Sequence, residues 1–267
     1  MDDSILKKEE KFHDDWAKDI DPKDVDVDSL GLICTLPEIK YIISELGDLK
    51  GKKILDIGCG WGEASVLFAK RGADVTASDL SGQMLELTSK VAKLHGVEVS
   101  IHKSSSTGIN LPDESFDIVY MANLLHHVDI ESTTTEVYRV LKPGGIFVSW
   151  DPVKYNPIIN IYRRIATQVR TEDEHPLSIG DVKRIEAKFG EIKTNFFWLF
   201  TLLIFIKFYF LEKVHPNAER YWKKMVSDHK KIESLYLALE KIDNFLLKFI
   251  PPLRWMCWNI VIFATKK

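Results

Sequence analysis

Apolar and polar positions follow two rhythms along this chain. Short apolar runs predict strands near 53–57, 74–78, 98–102, 116–121 and 145–150. Between the first of them lie runs at helical spacing. Residues 63–70 carry Val66, Leu67 and Phe68 and stop at Gly72. Residues 82 to about 95 are capped by Ser81 and closed by Gly96. Strands alternating with helices imply a parallel sheet. Further on, 176–190 reads as a helix, 191 to about 198 as a sixth strand and 257 to about 265 as a seventh.

Ahead of this unit, Phe12, Trp16 and Ile20 recur at helical spacing until Asp21-Pro22 breaks the run. Residues 37–46 read as a second helix, ended by Gly47. The expected organisation is a helical lead-in (1–50), a central α/β core (51–152) and a remainder (153–267). That remainder completes the sheet with about 176–198 and 256–267. It also inserts two segments, about 154–175 and 199–255. Insertions at those points lie near the carboxyl ends of the strands, where open α/β sheets bind ligands. They are expected to form a helical cap over an acceptor pocket and to set specificity.

Residues 196–211 are the most hydrophobic run. A membrane span needs about 20 apolar residues, whereas Lys207 interrupts this one and part of it belongs to the sixth strand. A transmembrane helix is therefore not expected. Two readings stay open: a buried cap helix, or an apolar lid that admits a lipid-like acceptor and touches the bilayer. Residues 245–256 add aromatic and basic side chains, as an interfacial segment does.

Composition narrows this picture. A formal net charge of −3 over 267 residues gives no general nucleic-acid footprint. Cys34, Cys59 and Cys257 include no C-x-x-C pair, which argues for a reducing, cytoplasmic setting and against a zinc site. The first ten residues lack an apolar segment, so no signal peptide is expected.

The chemistry is written where the first strand ends. Ile54-Leu55-Asp56-Ile57-Gly58-Cys59-Gly60-Trp61-Gly62 is a strand that carries an acid into a turn of alternate glycines. Without a Cβ, glycine lets backbone approach a ligand and adopt positive φ. A dinucleotide fingerprint needs its third glycine one place later, and that place is Glu63. A second acid, Asp79, ends the next strand about 20 residues on, where an acid can accept from ribose hydroxyls.

The D-x-G-x-G-x-G turn, Asp79, the stretch Leu111-Pro112-Asp113-Glu114-Ser115-Phe116-Asp117 and the stretch Leu141-Lys142-Pro143-Gly144-Gly145 come in order and register. Together they resemble the class I S-adenosylmethionine-dependent methyltransferases, and within them the type 11 small-molecule group with its quinone- and sterol-directed enzymes. The resemblance is strong over about 50–151. It implies a Rossmann-like, doubly wound, seven-stranded and mostly parallel sheet. Its antiparallel last strand would lie between strands five and six. It implies S-adenosyl-L-methionine as cofactor, with S-adenosyl-L-homocysteine as product.

Carried over residue by residue, the resemblance puts Gly58, Cys59, Gly60 and Gly62 at the methionine part, with Asp56 holding the turn. Asp79 takes the ribose, Leu80 and Met84 border the adenine, and Asn123 faces the cofactor edge. Trp16 is a candidate lid residue or a core anchor. The chain departs from the family at Ser105 and Ser106, where relatives usually carry an acid–small pair that accepts from the adenine amino group. A hydroxyl can accept there, without charge assistance.

His126 and His127 follow strand four and are candidate general bases. Asp151, Tyr155, Arg163, Arg170 and His175 are candidate acceptor contacts in the cap, with a solvated charged face as the plain alternative. No metal-ligand cluster is expected. The resulting expectation is in-line methyl transfer to a small, apolar or lipid-like acceptor, with peripheral membrane contact in view. A soluble secondary metabolite as acceptor and a non-catalytic, membrane-associated cofactor-binding module are the competing readings.

Overall fold

The computed structural model describes residues 3–167 and 174–267. In chain order the elements are α1 (Asp3–Lys18), α2 (Pro37–Leu46), β1 (Lys53–Ile57), α3 (Glu63–Lys70), β2 (Asp74–Asp79), α4 (Gly82–Leu94), β3 (Ser100–Lys103) and β4 (Phe116–Ala122). They continue with α5 (Ile130–Val140), β5 (Leu141–Pro152), α6 (Pro157–Ile165), α7 (Ile179–Phe189), β6 (Ile192–Phe197), α8 (Leu203–Phe210), α9 (Tyr221–Ser227), α10 (His229–Phe249) and β7 (Asn259–Thr265).

The strands form one sheet in the order β3-β2-β1-β4-β5-β7-β6. β1 to β5 run parallel, while β7 pairs antiparallel with both β5 and β6. This is the expected doubly wound sheet with its last strand between the fifth and sixth. Strand order reverses between β1 and β4, so a crevice opens beyond their carboxyl ends.

Each strand sends alternate side chains to opposite faces, and the core divides accordingly. Leu55 and Ile57 of β1 join Val137, Ile185 and Phe189 from α5 and α7 on one face. Ile54 joins Ile42, Val66, Phe68 and Val91 from α2, α3 and α4 on the other.

The cap has an apolar cluster of its own, in which Trp198, Phe205, Phe208, Tyr221 and Tyr236 are buried. Asp243 of α10 ties the start of that cap to the helix behind it. Its carboxylate accepts from the backbone N–H groups of Leu199 (3.0 Å), Phe200 (2.6 Å) and Thr201 (3.2 Å) and from Thr201 Oγ1 (2.9 Å). The run at 196–211 thus divides its side chains. Leu202, Ile204, Phe205 and Phe208 are buried, while Phe210 is 69% and Leu211 76% exposed. Phe245 and Phe249 on α10 are each 62% exposed as well. Among the described residues, no helix is long and apolar enough to cross a membrane.

Candidate active site

A cavity of about 340 Å³ lies at the carboxyl ends of β1, β2 and β4, within the range of small-ligand sites. Its floor is the glycine turn. Gly58, Gly60 and Gly62 all hold positive φ (71°, 52° and 82°). The N–H groups of Gly58 and Cys59 donate to Ser78 O (2.8 and 3.0 Å), and that of Gly60 donates to Asp79 Oδ2 (3.1 Å). These donors are engaged within the turn, which is unlike a phosphate cradle, where free N–H groups meet the anion. Gly62 caps α3 behind the turn and does not line the cavity.

Asp79 lines the cavity, held by the turn on one oxygen and by the Ser81 N–H (2.9 Å) on the other. Burial raises its carboxyl above the ordinary range against the pull of those hydrogen bonds. Asp56 is fully buried and accepts from Ser65 Oγ at 2.5 Å. Burial, aided by the neighbouring Asp79 charge, pushes it up to about 7. Leu80, Met84, Cys59 and Asn123 also reach the cavity. Asn123 stands in the left-handed region (φ 52°), with its N–H bonded to Trp150 O at 2.8 Å.

The serine stretch forms another wall. Ser105 and Ser106 both line the cavity; the Ser106 hydroxyl lies 3.1 Å from Thr133 Oγ1 and that of Ser105 3.4 Å from Thr107 Oγ1. Trp16 covers the opening from α1, edge-on to Trp61 with ring centroids 5.3 Å apart. Arg220 and Lys223 of the cap stack over Trp16 and Trp61, at 4.7 and 5.0 Å from the ring centroids. Lead-in, turn and cap therefore meet at one aromatic junction.

The two histidines separate. His127 lines the cavity, whereas His126 lies behind it, with Nδ1 2.9 Å from Asp151 Oδ1. Burial, then the neighbouring His126, lowers His127 to about 4. His127 is thus unprotonated at neutral pH, though a weak base. Burial raises Asp151 to about 8.

Of the acceptor contacts expected around the cap, Asp151, Tyr155, Arg163 and His175 do not line this cavity. Asp151 is fully buried and faces His126, because β5 runs on to Pro152 and points Trp150, its neighbour in the strand, into the cavity instead. Tyr155 accepts from the Ile179 N–H at 3.1 Å and packs edge-on to Trp255, away from the cavity. Arg163 donates to Asn160 Oδ1 at 3.1 Å. His175 is joined to the site through its backbone N–H, which donates to His126 O at 2.8 Å. Arg170 lies outside the described residues.

Several cavity residues were not foreseen: His13, Trp61, Glu63, Tyr120, Trp150 and Trp222. Strand alternation could have found Tyr120 and Trp150, which are hydrogen-bonded to each other (Nε1 to OH, 2.9 Å). Nothing local in the sequence marks Trp222, which arrives from the cap. Glu63 is raised to about 7 by burial.

Residues 55–149 match a family model described as a methyltransferase domain. These residues are a class I methyltransferase domain of the type 11 group. The domain is 39% identical over 121 residues to the ubiquinone biosynthesis O-methyltransferase of Pseudomonas syringae pv. tomato, covering 43% of this chain and 50% of that protein. It is 33% identical over 111 residues to the sterol 24-C-methyltransferase of Aspergillus fumigatus, covering 40% and 29%. The chain thus spans about half the length, or less, of the curated relatives it matches.

Among solved structures, the geranyl diphosphate C-methyltransferase of Streptomyces coelicolor A3(2) superposes with a TM-score of 0.58 at 13% identity, over 85% of this chain and 76% of that one. The YcgJ protein of Bacillus subtilis gives 0.54 at 18% identity, over 85% and 97%. At such identities the likeness is one of fold.

The family's methyl donor is S-adenosylmethionine, and the methyltransferase domain's cavity fits such a ligand. Asp79 offers carboxylate lone pairs to a ribose diol, Leu80 and Met84 offer an apolar slot, and Gly60 leaves open space where a Cβ would project.

Proposed function

We propose that this chain transfers a methyl group from S-adenosylmethionine to a small, apolar or lipid-like acceptor. The observation that carries the reading is one chamber whose floor is the glycine turn with Asp79 and whose remaining wall is largely aromatic and aliphatic. The bound donor supplies a methyl on a positively charged sulfur, so departure of the thioether needs little help. The chain's own work is alignment and exclusion of water. Asp56, Gly58, Cys59, Gly60, Asp79, Leu80, Met84, Ser105, Ser106 and Asn123 would hold the donor, with Trp16 closing over it. His127 would accept the proton of an acceptor hydroxyl as it is methylated, and His126 with Asp151 would set its position.

A lipid-like acceptor is favoured by the quinone and sterol chemistry named for the relatives. The exposed Phe210, Leu211, Phe245 and Phe249, with Lys248 next to Phe249 in the chain, suit contact with an anionic bilayer surface. That reading places the protein in the cytoplasm, at the membrane periphery.

Calorimetry with S-adenosylmethionine tests the donor: micromolar binding is expected, and folded protein that binds none overturns the proposal. Labelled-methyl transfer to a cell extract, partitioned between lipid and water, tests the acceptor. Label confined to the aqueous fraction favours a soluble metabolite, and S-adenosylmethionine binding without any transfer favours a non-catalytic module.

A further inference from the structure

We propose that His126, His127 and Glu174 form a binding site for a divalent zinc ion beside the chamber. Each of the three offers a ligand atom within 4.8 Å of the other two. The segment that brings Glu174 there is pinned: the His175 N–H donates to His126 O, and the Leu177 N–H donates to Pro152 O, both at 2.8 Å. The histidine rings lie together, with centroids 4.1 Å apart.

Two further observations point to a cation. Asp151, fully buried, engages Nδ1 of His126 at 2.9 Å and fixes that ring from behind. A carboxylate behind an imidazole is how ligating histidines are ordinarily oriented. Nδ1 of His127 is buried and has no hydrogen-bond partner among the described residues, an arrangement that costs free energy unless something binds it.

Two imidazoles and a carboxylate are a donor set that zinc accepts, with a fourth position left open. On a tetrahedral zinc with bonds of about 2.1 Å, ligand atoms stand about 3.4 Å apart, so the three must close by roughly an ångström. Because His127 lines the chamber, the open position would meet an oxygen of the acceptor, and zinc would lower that hydroxyl's pKa in place of His127 acting as its base. That use rests on the methyl transfer proposed above, whereas metal binding does not. Asp151 is a positioning residue here.

The test uses the full chain, stripped of metal and titrated with Zn²⁺ against a chromophoric chelator and with Co²⁺ by visible absorption. One equivalent is expected to bind, and the Co²⁺ spectrum should lack a thiolate charge-transfer band, which sets this site apart from Cys34, Cys59 and Cys257. H127N and E174Q should each weaken binding by more than 10-fold, and D151N by about 10-fold, with circular dichroism unchanged. If H127N does not fold, E174Q decides. Folded wild type that binds no stoichiometric metal, a thiolate band, or equal affinity in E174Q overturns the site. Calorimetry with S-adenosylmethionine on the same sample separates the two proposals: donor binding without zinc removes only the metal.

Discussion

Substituting alanine at Gly62 and at Gly60 separates the mechanical from the ligand-facing part of the turn. At Gly62 (φ +82°) a Cβ would meet Cγ2, Oγ1 and Cβ of Thr88 at 2.7, 2.8 and 2.9 Å. Thr88 has little room to yield. It is fully buried, and its hydroxyl donates to Gly60 O at 3.1 Å, bracing the turn. Left-handed backbone costs a non-glycine residue about 1–2 kcal/mol, and overpacking adds about 1–3 kcal/mol. G62A should therefore lose roughly 2–5 kcal/mol. For a chain of this size that lowers Tm by roughly 5–15 °C. At Gly60 (φ +52°) a Cβ meets nothing within 4 Å, so only the backbone term of about 1–2 kcal/mol applies. That Cβ does project into the chamber, and G60A should weaken S-adenosylmethionine binding more than it weakens the fold. Thermal melting and calorimetry on both variants check this. Equal melting temperatures would refute Thr88 as a brace, and unchanged donor affinity in G60A would refute the placement of the ligand.

Three further outcomes are expected. Burial raises Glu38 to about 7 in the fold, where it accepts from Trp198 Nε1 and Asn259 Nδ2, both at 2.6 Å. Its stabilising contribution is complete below about pH 4 and is lost as pH rises through about 7. E38Q keeps an acceptor oxygen, so it should flatten that decline and gain up to about 3 kcal/mol at pH 8; identical slopes of Tm against pH would refute this. D79N, left with one acceptor oxygen for two N–H groups and a ribose, should bind S-adenosylmethionine at least about 10-fold more weakly by calorimetry; equal affinity sinks the ribose assignment. D243A strands four buried or half-buried donors and should cost about 3 kcal/mol or more, with faster proteolysis within 199–211; unaltered cleavage would show that the cap start is held otherwise.

The sheet was legible because its strands and glycines are local signals. The short apolar runs placed β1, β2, β4 and β6 within a residue or two, and Asp56, Gly60 and Asp79 line the chamber as the resemblance implied. The acceptor side was not legible, and Asp151 shows why. Its role depends on β5 extending two residues beyond the expected end, which pairing with β7 at Asp151–Ile260 and Pro152–Asn259 permits. That pairing joins residues more than a hundred positions apart, beyond any window of periodicity. Glu174 beside the histidine pair, and Trp222 in the chamber, are likewise products of tertiary contact.

The place of β7 also bears on how the chain is made. Seven residue pairs join it to β5 and six to β6, yet it is the last of the strands to leave the ribosome. Until it emerges, β5 presents a bare edge and β6 has no neighbour in the sheet. The buried Glu38 meanwhile waits for Asn259. Bare strand edges invite pairing with other chains, so the nascent protein is most exposed to aggregation just before synthesis of β7. Slowing translation ahead of residue 259 would lengthen that interval, and a chaperone covering the β5 edge would shorten its consequences.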